Sequence, residues 1–137
     1  MKTKIQITTL VLFCLSSSAF AQKNLEVTVK NIKETSGTIR VGLFNNEKDF
    51  LKKAIEGKVV KVTATEVTVV FNDLKPGDYA VSVIHDKNEN GELDSNFMGI
   101  PNEPYGFSNN VMGSFGPPSF EKAKLATDSN KTVINLR

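Results

Sequence analysis

The sequence has one cysteine, one histidine and no tryptophan in 137 residues. Cys14 lies inside the apolar stretch near the start, without the small residues before it that a lipid-attachment site carries. Once that stretch is removed, no disulfide, thiolate nucleophile or cysteine metal ligand is open to the chain. A lone imidazole, His85, makes a poor transition-metal site, and no nucleophile stands beside it in sequence. Ser108 and Ser119 have no visible base partner, which counts against a serine hydrolase. An excess of one charge is also missing: 17 Lys and Arg face 15 Asp and Glu, and without Lys2 and Lys4 the counts are 15 and 15. Nothing in this balance favours nucleic acid or an anionic membrane as a partner.

Long apolar runs are absent too. The longest, Ile5 to Leu15, is shorter than the roughly 20 residues that a membrane-spanning helix needs. It follows a basic start at Lys2 and Lys4 and precedes Ala19-Phe20-Ala21, a small-x-small cleavage signal. Residues 1–21 therefore read as a signal peptide, cleaved between Ala21 and Gln22, with the mature chain periplasmic or extracellular. The remaining residues, 137 − 21 = 116, suit one domain over 22–137 with a single hydrophobic core.

What is present is strand pattern. Leu25, Val27 and Val29 alternate with polar residues, as do Ile39, Val41 and Leu43, with Thr35-Ser36-Gly37 as a turn between the two runs. Val59 to Val62 predicts a short strand, and Val67, Val69 and Phe71 another, ending in the turn signal Pro76-Gly77. Tyr79 to His85 is apolar on both faces, which predicts a central strand. Lys122 to Ala126 and Thr132 to Leu136 complete the set. Glu47 to Ala54 is the one helical segment, with Phe50 and Leu51 expected toward the core. About seven short strands and one short helix predict an all-β antiparallel Greek-key sandwich. The stretch from Asp86 to Ser119 is too long for a structureless connection, so it hides a strand or two or is a large ordered loop.

Within it, oxygen-bearing side chains recur at every second position around a glycine. Asp86, Asn88 and Asn90 fall at the first, third and fifth places of a calcium loop, Gly91 at the sixth, the carbonyl of Glu92 at the seventh and Asp94 at the ninth. The twelfth place, where an EF-hand needs a bidentate Glu, is Phe97. A missing ligand would come from Asn96, Glu103 or a later asparagine. These hard oxygen donors suit a weakly held Ca2+. The competing reading is a turn in which Asp and Asn side chains bond to their own backbone, with Asn90-Gly91 at a hairpin.

At Phe71 to Val81 the chain resembles the Leu-x-Pro-Gly-x-Tyr signature of transthyretin-like and carboxypeptidase-regulatory-like sandwiches, carried here by Leu74, Pro76, Gly77 and Tyr79. Through His85 to Asp94, Gly99-Ile100-Pro101, Tyr105 to Asn110 and Pro117 to Phe120 it resembles the bacterial domain-of-unknown-function 2141 family. The resemblance implies a small exported β-sandwich and carries over no catalytic residue.

Two function classes follow. One is a non-enzymatic module binding a protein, peptide or glycan, stabilised by Ca2+ at Asp86, Asn88, Asn90, Glu92 and Asp94. The other is an enzyme with its site in the 86–119 loop, such as a glycan hydrolase using Asp94 with Glu103, which needs their carboxyls roughly 5 to 10 Å apart across a cleft. His85 reads best as a strand-end residue tying down the loop, and Tyr105 to Asn110 as an anchor holding the loop to its own domain.

Overall fold

Residues 21–137 are described in a computed structural model. The leader expected over residues 1–21, with Cys14, lies outside the described residues but for Ala21. Seven strands form two sheets: β1 (Lys23–Lys30), β2 (Thr38–Phe44), β3 (Glu56–Lys61), β4 (Val67–Leu74), β5 (Ala80–Asp86), β6 (Tyr105–Phe107) and β7 (Lys131–Asn135). One sheet has the order β4-β1-β7 and the other β3-β2-β5-β6, packed face to face as the alternating patterns require. The expected all-β sandwich is what forms. All pairings but one are antiparallel; β1 and β7 run parallel, Val27 opposite Thr132 and Val29 opposite Ile134. The direction in which β7 joins β1 is set by the path of the intervening chain, which local pattern cannot disclose.

The inward rows make the core. Val27, Val41, Val69, Val81 and Val83 are all buried, along with Leu25, Ile39, Phe71 and Ile134. Central β5 is covered on its second face by an aromatic cluster of Phe44, Phe50, Phe107 and Phe120 with Ala80 and Ala123. Phe50 meets Phe44 and Phe120 edge to face, at centroid distances of 5.3 and 5.7 Å.

This cluster explains two departures from pattern. Residues 47–52 form turns and no helix: Asn46 Oδ1 accepts the Asp49 amide at 2.9 Å, then Leu51 turns left-handed at φ 59°. Phe50 drops into the cluster while Leu51 stays at the surface, because eight residues are too few to sustain a helix against that packing. The strand expected over Lys122 to Ala126 is instead one helical turn, α1 (Phe120–Ala123), N-capped by Ser119. Its buried Phe120 and Ala123, three apart, face the cluster, and Leu125 then enters the main core.

Candidate functional site

The 86–119 stretch is largely an ordered loop with one short strand in it. It starts where β5 ends, so its first ligand candidate is anchored in the sheet: Asp86 is fully buried, paired in register with Thr38. Asp86 Oδ1 accepts the amide of Asn90 at 3.1 Å, and Oδ2 accepts that of Gly91 at 2.8 Å. Gly91 takes φ 87°, where a side chain is strained, and Glu89 takes φ 60°. The chain thereby folds back over the carboxylate.

The remaining oxygens gather on Asp94. Asn88 Nδ2 donates to Asp94 Oδ2 at 2.6 Å and Asn90 Nδ2 to Oδ1 at 2.8 Å. Asn88 Oδ1 accepts the Asn90 amide at 3.2 Å, and Asn90 Oδ1 that of Glu92 at 2.9 Å. Asp86, Asn88, Asn90 and Asp94 are therefore joined in one network, while the Glu92 side chain is exposed. Two amide NH2 groups stand against Asp94 where a cation would accept its charge. Rotating either amide would turn an oxygen toward Asp94 at the expense of an Asx turn, so the set is able to exchange hydrogen bonds for a hard ion. Among the described residues no three of His, Cys, Asp and Glu are grouped to hold a metal. An ion here depends on amide and carbonyl oxygen, which fits calcium and not a transition metal.

Arg40, on the outer face of β2, is a partner that the sequence pattern did not single out. Its Nη1 lies 3.7 Å from Asp86 Oδ2, and its guanidinium sits over Gly91. Only the β2–β5 pairing brings it there; alternation alone marks it as an outward residue. Its positive charge beside Asp86 opposes a cation in the loop.

The candidates for a missing ligand divide. Glu103, 7% exposed, closes the loop from beneath, Oε1 accepting the Lys87 amide at 2.8 Å and Oε2 the Asp94 amide at 3.1 Å. Asn96 Oδ1 is taken by the amides of Met98 and Ile100. Phe97 is 98% exposed and contributes no oxygen. Asn109 Nδ2 donates to the Lys124 carbonyl at 2.7 Å. Asn110 bonds the β7 edge, Nδ2 to the Val133 carbonyl at 3.0 Å and Oδ1 from the Asn135 amide at 2.8 Å, as a neighbouring strand would. Buried Ser108 accepts the Val81 amide at 2.9 Å and donates to the Ala123 carbonyl. The Ser108-Asn109-Asn110 run thus anchors the loop to its own domain.

His85 is buried, its Nε2 at 2.7 Å from the Ser36 carbonyl, with no partner at Nδ1. It ties the β1–β2 connection to the base of the loop. Tyr79 donates its hydroxyl to the Lys75 carbonyl at 2.8 Å across the Pro76-Gly77 turn, and burial pushes its pKa up.

No curated protein and no solved structure matches the chain. A family model does, described as an uncharacterized protein conserved in bacteria (DUF2141), over residues 27–135, from within β1 to the last residue of β7. The chain belongs to that family, the domain of unknown function 2141.

Proposed function

We propose that this chain is an exported, non-enzymatic binding module of transthyretin-like build, whose 86–94 loop takes up calcium weakly and is stiffened by it. The leader pattern over residues 1–21 supports export, to the periplasm or beyond the cell. The observation that carries the calcium reading is the convergence of Asp86, Asn88, Asn90 and Asp94 in one hydrogen-bonded ring of oxygen-bearing groups. With two carboxylates, no twelfth-place glutamate and Arg40 alongside, the dissociation constant belongs in the range of extracellular modules, on the order of 10⁻⁴ to 10⁻³ M. The ion orders the loop that offers surface to a protein, peptide or glycan ligand, and performs no chemistry.

The glycan-hydrolase alternative needs Asp94 and Glu103 as a free pair across a cleft. Both Glu103 oxygens accept backbone amides and its side chain is buried, which favours a supporting role. Calcium titration followed by thermal melting and calorimetry, with a chelated control, tests the proposal. A rise in melting temperature at millimolar calcium is the expected result; no heat and no shift would reduce the loop to an asparagine-rich turn.

A further inference from the structure

Asn90 is the one asparagine of thirteen that is followed by glycine. Such a step is chemically labile, because the backbone nitrogen after an asparagine can attack the side-chain carbonyl carbon, and a residue with no Cβ lets it approach closely. Asn90 and Gly91 are both exposed, so hydroxide and water have access to the pair.

The closed loop holds both reacting groups away from this course. The Gly91 amide, whose nitrogen is the nucleophile, donates to Asp86 Oδ2 at 2.8 Å. Asp86 is fully buried, so its carboxylate is fixed where the Gly91 proton would have to leave. An amide anion formed there would face a like charge at hydrogen-bond distance, which disfavours it. The electrophile is held as well: Asn90 Oδ1 accepts the Glu92 amide at 2.9 Å, and Nδ2 donates to Asp94 Oδ1 at 2.8 Å. Ring closure ends two of these three bonds, since the Gly91 proton and the Nδ2 group both depart. Buried Glu103, which accepts the amides of Lys87 and Asp94, keeps the two ends of the loop from parting.

We propose that Asn90-Gly91 is a deamidation site gated by the loop, silent while the 86–103 segment is closed and converting when it opens. In the open loop the Gly91 nitrogen, deprotonated by hydroxide, forms a bond to Asn90 Cγ; the Cγ–Nδ2 bond breaks, ammonia leaves and a succinimide remains. Water then opens the ring at either carbonyl, leaving Asp at position 90 with an ordinary backbone, or isoaspartate, whose backbone runs through the side-chain carbon. No oxidant, metal or second protein takes part. Either product replaces the amide that donates to Asp94 with a carboxylate, so that bond is not remade when the loop closes. A third carboxylate in the ring favours a divalent cation; that consequence rests on the calcium reading, and the conversion does not.

Peptide mapping by mass spectrometry with isoaspartate detection, on the mature chain incubated in chelator at mildly alkaline pH, reads the conversion site by site. In urea above the unfolding transition Asn90 should convert ahead of every other asparagine, and in the native state at least about tenfold more slowly than in urea, because only the open population reacts. Glu103→Ala frees both ends of the loop and should raise the native rate at least about tenfold. Urea below the transition separates loop opening from global unfolding with no substitution at all: the wild-type rate should climb with a slope well below that of global unfolding, which exposes far more surface. Asn90→Gln, one methylene longer, should stay unconverted. A native chain that converts as fast as the unfolded one, native conversion led by a different asparagine, or a slope equal to the global one would overturn the proposal. So would a folded Glu103→Ala chain that converts at the wild-type rate.

Discussion

Glu103 holds Asp94 by its backbone and not by its side chain: Glu103 Oε2 accepts the Asp94 amide at 3.1 Å, and its other oxygen accepts the Lys87 amide at 2.8 Å. One buried carboxylate therefore pins both ends of the acidic loop. Glu103→Ala leaves two amides without an acceptor and should cost about 2 kcal/mol or more. It should also open the loop to trypsin at Lys87 in the native state, since the local opening energy falls with the loss of those bonds. A variant that melts and digests like the parent would remove Glu103 from this role.

The calcium reading separates by residue. Asp94→Ala removes a candidate ligand that is only half-buried, and Glu89→Ala removes a carboxylate at a place that is not a ligand place, paired only with Lys61 at the surface. At about 10 mM calcium and a dissociation constant of about 1 mM, binding stabilises the fold by about 1.4 kcal/mol, a rise of about 5 °C. Asp94→Ala should lose that rise and Glu89→Ala should keep it, as read by scanning calorimetry. Asp86→Ala serves less well, because it also orphans the amides of Asn90 and Gly91.

Tyr79 carries a pH-dependent share of stability. Burial raises its pKa above the ordinary 10.0. The folded state holds this proton more tightly than the unfolded chain, so the contribution is complete below pH about 10 and is lost as pH rises through the folded value. Tyr79→Phe should cost about 1 kcal/mol at neutral pH, and its stability should decline less steeply than the parent's above pH about 10. Urea denaturation between pH 7 and 11 measures both, and parallel curves would contradict the assignment.

Gly106 is required by close approach. A Cβ there would stand 2.7 Å from Ile134 Cγ2 and 3.3 Å from the Asn135 carbonyl. Ile134 is fully buried and cannot swing away. Gly106→Ala should destabilise by about 1 to 3 kcal/mol. Combined with Ile134→Ala, which removes the clashing methyl, the loss should be less than additive by about 0.5 kcal/mol or more. Strict additivity in denaturant melts would show that the contact is not the cause.

Alternation alone determined much of this protein. Val27, Val41, Val69, Val81 and Val83 are buried because a two-residue period facing one apolar layer admits a single register. The 86–94 spacing likewise determined that Asp86, Asn88, Asn90 and Asp94 share one loop, because an oxygen at every second place around a glycine curls the chain on itself. Tertiary structure decided whatever depends on partners distant in sequence. Phe50 and Phe120 broke an expected helix and an expected strand to complete an aromatic layer contributed by residues 44 to 123. Arg40 reached Asp86 only through strand pairing, Glu103 reached the loop only when the chain returned beneath it, and the parallel pairing of β7 with β1 joins residues about a hundred positions apart. Local pattern specifies which face a residue turns inward; which residues it meets there is set by how two sheets and a long loop close on one another.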